Sequence, residues 1–145
     1  MNIDQILEMW DNDATIDDTH LDHASTDTAK LHSKYLSVLI KNKLKHAKYE
    51  TDYNVLRHKK SRYFRGEMDR DELAEMGWTQ YQGIRPTNSA LEDILLGDKD
   101  LNDMSLKLQY LKTSTELLES IMSQLKSRDF QISNAIKWKT FINGS

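Results

Sequence analysis

Residues 101–125 read LNDMSLKLQYLKTSTELLESIMSQL. Within this stretch Leu101, Met104, Leu108, Leu111, Thr115, Leu118, Met122 and Leu125 recur in alternating steps of three and four, and seven of these eight positions are apolar. That period keeps one face of a helix continuously apolar over nearly four heptads, so the stretch predicts a helix that buries a seam against other helices, either in a bundle within the chain or in an oligomer. Further on, Arg128–Asp129 reads as a bend, and Phe130, Ile132, Ile136, Trp138 and Phe141 supply apolar surface for a terminal helix. The fold class that follows is all-α: an elongated, homo-oligomeric helical protein whose C-terminal part is a coiled-coil-like assembly element. The residues expected to hold the oligomer are Leu101, Met104, Leu108, Leu111, Leu118, Met122, Leu125, Phe130, Ile132 and Ile136.

Upstream of the seam, Asn88 is placed to cap a short helix stopped by Gly97, and Asp98 to cap the seam helix itself. Gly66, Gly77, Gly83 and Pro86 gather between Gly66 and Thr87 among acidic residues, which marks a connector. Inside it Asp69–Met76 suits a short helix, and the aromatic and β-branched run Trp78–Ile84 an extended segment. From about Asp22 to Arg65 there is neither glycine nor proline. Ala24, Thr28, Leu31, Tyr35 and Val38, then Tyr49, Tyr53, Leu56 and Tyr63, keep helical spacing. One helix of that length would measure about 65 Å, beyond the reach of one small core unless it breaks near Asn42–His46, where polar residues interrupt the stripe. Ile3, Ile6, Leu7 and Trp10 predict a short amphipathic helix ended by Asp11–Asn12–Asp13. The organisation expected is an N-terminal arm and long basic helix over 1–66, an acidic connector over 67–87 and a helical oligomerisation element over 88–145.

The chain has 145 residues, 38% of them apolar and 30% charged, with one proline, five glycines and no cysteine. This is a domain-sized chain with few apolar residues for a compact monomer, which again favours self-association. Without cysteine there is no disulfide framework, thiolate catalysis or Cys-ligated zinc, and the cytosol is the expected compartment. No run approaches the roughly 20 apolar residues of a membrane span. The first 29 residues carry eight acids and no base, unlike a signal peptide.

The net charge of −3 hides strong segregation: residues 1–29 carry −8, 30–65 carry +9, 66–100 carry −6 and 101–145 carry +2. A block of +9 within 36 residues sets up a field that a polyanion would feel. Lys34, Lys41, Lys48 and Arg62 are separated by seven or a multiple of seven, so they share a face, with Lys45 and Lys59 beside them. The dense end, Arg57–His58–Lys59–Lys60–Ser61–Arg62–Tyr63–Phe64–Arg65, mixes cations that neutralise phosphates with rings that stack on unpaired bases. Two readings fit these residues. In one, Lys45, Lys48, Arg57, His58, Lys59, Lys60, Arg62, Tyr63, Phe64 and Arg65 form a single-stranded nucleic-acid site; in the other they are a solvated helix face with Tyr63 and Phe64 in the core.

Other constellations are weaker. Asp18, His20, Asp22 and His23 form an acid–histidine cluster that reads as solvated surface rather than a metal site. Asp69, Asp71 and Glu72 lack the second acidic motif or paired base of a magnesium nuclease. There is no phosphate-cradling glycine loop and no nucleophile–base order. The expectation is a binding protein without catalytic residues, metal or cofactor; a helical scaffolding protein of a virion, its basic face packed on acidic neighbours, is the alternative.

His32–Ser33–Lys34–Tyr35–Leu36, Arg62–Tyr63–Phe64–Arg65–Gly66, Asp98–Lys99–Asp100, Leu108–Gln109–Tyr110 and Lys126–Ser127–Arg128–Asp129–Phe130 together resemble the UvsY family of phage recombination mediators. They fall in collinear order across most of the chain. The resemblance implies a helical homo-oligomer, a ring or cluster, that binds single-stranded DNA, contacts the phage recombinase and single-strand-binding protein in the host cytoplasm, and helps recombinase filaments assemble without hydrolysing ATP. It also implies that the C-terminal segment is the assembly element. The family's Lys-x-basic pattern before the aromatic pair reads His58–Lys59–Lys60 here, so Lys60 matches and His58 departs, with Lys59 placed to supply the missing charge. The family's glycine between Arg128 and Phe130 is Asp129.

Overall fold

The computed structural model describes residues 1–144, and among them the regular structure is entirely helical: α1 (Ile3–Asp13), α2 (Leu21–Phe64), α3 (Arg70–Met76), α4 (Asn88–Leu96) and α5 (Lys99–Ile142). The all-α expectation holds. Several local expectations do not. The long basic helix has no break at Asn42–His46, because Asn42 is buried and donates from Nδ2 to Ser114 Oγ at 2.7 Å, so a polar residue on the apolar stripe is satisfied across a helix pair. Arg128–Asp129 does not interrupt α5, because Arg128 is a buried contact and not a helix end. The run Trp78–Ile84 forms no strand; it is irregular, with no neighbouring strand to pair its backbone.

The chain folds as two compact units, one of Met1–Lys45 with 111–144 and one of His46–Tyr110, with α2 and α5 each contributing to both. In the first, Ile6 of α1, Tyr35 and Leu39 of α2, and Leu118, Ile121, Met122 and Leu125 of α5 make the core. Asn42 meets Ser114, while Tyr35 and Arg128 both meet the end of α1, so α2 and α5 run antiparallel here. A capping box between Asn2 and Gln5 starts α1. Its far end is fastened three ways. Asp13 accepts from Lys34 Nζ at 2.6 Å and from Tyr35 Oη at 2.8 Å, and the 5%-exposed Arg128 donates to the carbonyl of Asp13 at 3.0 Å, with longer contacts to those of Ala14 and Thr15. Burial pulls the Asp13 carboxyl up, but the hydrogen bonds from Lys34 and Tyr35 and the nearby charges outweigh it and hold the group below its ordinary value.

In the second unit Leu91 and Leu95 of α4 and Leu101 of α5 pack with Tyr53, Leu56 and Phe64 of α2. Gly66, at φ 71°, ends α2 with a turn. Asp69 caps α3 by accepting from Glu72 N, and Gly77, at φ 69°, stops it. Thr87 caps α4 in place of Asn88, which is the first helical residue. Asp98 caps α5, accepting from Leu101 N at 3.0 Å.

This packing changes the role of the seam. Leu111, Leu118, Met122, Leu125 and Ile132 are buried within the chain's own first unit and Leu101 within its second, with Met104 and Leu108 half-buried, so most of the periodic face is already covered by helices of the same chain. Periodicity identifies a buried face without identifying what covers it. Of the residues expected to join subunits, Phe130 and Ile136 remain exposed, together with Trp138, Phe141 and Ile142.

Candidate nucleic-acid interface

The basic residues of the dense stretch lie on opposite sides of α2, and their environments separate them into two groups. Lys60 is on the packed side, seven residues after Tyr53, and is only 8% exposed. Its ammonium bridges Asp98 at 3.2 Å and Asp100 at 2.8 Å and lies 4.7 Å from the centre of the Trp78 ring. Burial pulls Lys60 down, but the hydrogen bonds it donates to the two carboxylates more than compensate, and its pKa stands above the ordinary lysine value. Asp100 is correspondingly held low by Lys60. Arg62 is paired with Glu72 of α3 and also donates to the Glu67 carbonyl at 3.1 Å. Arg57 donates from Nη2 to both oxygens of Glu92, at 2.7 and 2.8 Å. These three cations hold the connector, α4 and the start of α5 onto α2.

Lys48, His58 and Arg65 form the second group. Among the described residues they have no ion-pair partner, and Lys48 and His58 are exposed. Lys59 is half-buried, lies 3.8 Å from the Met76 sulfur and adds, from a distance, to the Arg62 hydrogen bond that holds the Glu72 carboxyl below its ordinary value. Lys45 is exposed on α2 within the first unit. Arg85, which sequence reading did not single out, belongs with Arg65: its Nε donates to the Arg65 carbonyl at 2.7 Å, and its guanidinium passes over Gly66, where an added Cβ would lie 3.8 Å from it. Its sequence position, in a connector rich in acids and outside the basic run, gave no signal.

Tyr63 and Phe64 are half-buried and belong to a four-ring cluster. Tyr63 contacts Phe64, Trp78 and Tyr81 at centroid distances of 5.2, 5.4 and 5.8 Å, and Phe64 meets Tyr81 at 5.1 Å. Phe64 also packs against Leu91, Leu95 and Leu101, so it is largely a core residue. Trp78 and Tyr81 escaped the sequence reading of the site, because they lie 14 or more residues beyond Phe64, in a segment with no helical stripe.

His20 and His23 stand on the exposed N-terminal end of α2, where His20 Nδ1 is 2.9 Å from Asp17. No group of three or more His, Cys, Asp or Glu side chains converges to hold a metal ion among the described residues, and no helix there is long and apolar enough to cross a membrane.

Comparison with known proteins agrees with this architecture. The chain is 24% identical, over 144 residues and 99% of each chain, to the recombination protein uvsY of Enterobacteria phage T4. Its fold superposes on crystal structures of the bacteriophage T4 recombination mediator protein UvsY. For lattice type II the TM-score is 0.84 with 24% identity, covering 99% of each chain; for lattice type IV it is 0.84 with 23% identity, covering 97% of this chain and 99% of that one. The model of the family described as recombination, repair and ssDNA binding protein UvsY matches residues 9–145, and the chain accordingly belongs to the UvsY family.

Proposed function

We propose that this chain is a recombination mediator. As a homo-oligomer it binds single-stranded DNA in the host cytoplasm and promotes loading of a recombinase onto strands covered by single-strand-binding protein, without turnover of its own. The observation that carries this reading is the set of basic side chains without ion-pair partners along the second half of α2 and just past its end, namely Lys48, His58 and Arg65, with Lys59 and Arg85 near the last of these. Such cations are available to phosphates, because binding a strand need not first break an ion pair. Lys60, Arg57 and Arg62, already engaged with carboxylates, act by holding the connector in place, and Lys45 is a further exposed cation of α2.

Oligomerisation is supported by the apolar surface at the end of α5. Trp138 is 62% and Phe141 75% exposed, and their rings stack at 5.8 Å, an arrangement that a neighbouring subunit would cover. In a ring or cluster, each subunit's modest contact raises the effective concentration of the next, so the assembly holds a strand that one subunit would release.

Recombinase loading on a strand pre-covered with single-strand-binding protein tests the proposal, read as the lag before strand-dependent ATP hydrolysis by the recombinase. The chain should shorten the lag, and a Lys48→Ala/Lys59→Ala/Arg65→Ala variant should not. A wild-type chain without effect, or a variant with full effect, contradicts it.

A further inference from the structure

We propose that Trp78 and Tyr81 are the residues that distinguish unpaired from paired strands, by stacking on exposed bases beside the cations at the end of α2. The inference rests on the single-stranded-DNA reading above and names the part of that site which recognises bases.

Both rings are half-buried, as a stacking platform requires, whereas Phe64 is held in the Leu91–Leu95–Leu101 core. Both are fixed in place without being enclosed. Trp78 follows directly on the Gly77 helix stop and packs on Tyr63, with the Lys60 ammonium 4.7 Å from its ring centre; Lys60 is itself held by Asp98 and Asp100. Tyr81 contacts Tyr63 and Phe64 and folds back over its own loop. A Cβ on Gly83 would overlap Oη and Cζ of Tyr81, far inside contact distance. Gly83 has no positive φ, so its backbone would accept any side chain. What glycine provides there is room for the tyrosine ring. The cations lie close by in sequence and structure: Arg85 is two residues past Gly83 and bonded to the Arg65 carbonyl.

Charge and aromatic rings make different demands on a nucleic acid. Phosphates are present on single and double strands alike, so Arg65, Arg85 and Lys59 attract both. A base offers its face to a side chain only when it is not stacked between neighbours in a duplex, so Trp78 and Tyr81 add affinity for unpaired strands alone.

Gly83→Ala tests this without removing a ring or a charge. The conflict is with the far end of one flexible side chain, so Tyr81 swings aside and the fold is retained. Oligo(dT) affinity of Gly83→Ala and Tyr81→Leu should fall on the order of tenfold, while the salt slope and the affinity for duplex of equal length stay unchanged. In a second arm, the wild-type chain is irradiated with an oligonucleotide carrying 5-iodouracil, and crosslinks should map to Trp78 or Tyr81. Variants that stay folded and bind oligo(dT) as wild type does, with crosslinks absent from both residues, overturn the stacking role and leave phosphate binding standing. A wild-type chain that binds no oligonucleotide overturns both.

Discussion

Lys60 and Arg65 stand five residues apart in the same basic run, yet one is a packed side chain and the other is free to meet an anion. Replacing Lys60 with Met leaves Asp98 partly buried without its counter-charge and removes the ammonium from Trp78, so stability should fall by about 2–3 kcal/mol in a thermal or urea melt. Part of this was readable in advance. Lys60 repeats the position of Tyr53 one heptad on, which places it on the apolar stripe; what the sequence concealed was its partners, Asp98 and Asp100, about 40 residues away. Asp13 has a similar long-range role and a pH signature. Its folded pKa is depressed, so its contribution is complete above the ordinary carboxylate value of about 4 and is lost as pH falls through the lower, folded value. Asp13→Asn should therefore be less stable than wild type at neutral pH and show a shallower loss on acidification, measured by melts between about pH 2 and pH 7. Equal acid dependence in the two proteins would assign the effect to other carboxylates.

At the level of elements, the buried Asn42–Ser114 hydrogen bond is a polar point inside the packing of α2 on α5 in the first unit, beside the exposed Lys43–Glu119 pair. Ser114→Ala leaves the Asn42 amide unsatisfied and should cost about 1–3 kcal/mol, whereas Asn42→Leu/Ser114→Ala removes both partners and should recover much of that loss. A double-mutant cycle on melting free energies measures the coupling; strictly additive losses would show that the bond contributes nothing. The short helices were legible because their ends carry local signals: Asp69 and Gly77 bound α3, and Gly97 and Asp98 separate α4 from α5. The interior of the long helices was less so. Asn42 and Arg128 look like interruptions because polar residues at helix breaks and polar residues satisfied inside a packed core have the same one-dimensional appearance. The 101–125 seam was recognisable as buried, but its period does not decide between a bundle within the chain and an oligomer, and low apolar content favoured the oligomer over the α2 and α1 contacts it makes.

For the molecule as a whole, low apolar content pointed to self-association, and the exposed aromatic end of α5 is the surface that now fits it. Trp138→Asp/Phe141→Asp should lower the sedimenting mass at micromolar concentration with helix content unchanged, whereas Leu118→Asp, a core change, should unfold the first unit. Wild-type mass retained by the Trp138/Phe141 variant would locate the subunit contact elsewhere. The central claim is that the basic side chains outside the ion pairs, along the second half of α2 and at its end, and not the ion-paired ones, hold the strand. Its most direct test is the oligo(dT) affinity of the Lys48→Ala/Lys59→Ala/Arg65→Ala variant across about 0.05–0.3 M salt. The account predicts a folded, oligomeric protein whose log-affinity against log-salt slope is reduced by about 0.7 per lost phosphate contact in each subunit engaged. A variant that remains folded and oligomeric, yet binds with wild-type affinity and slope at about 0.15 M salt, would contradict it.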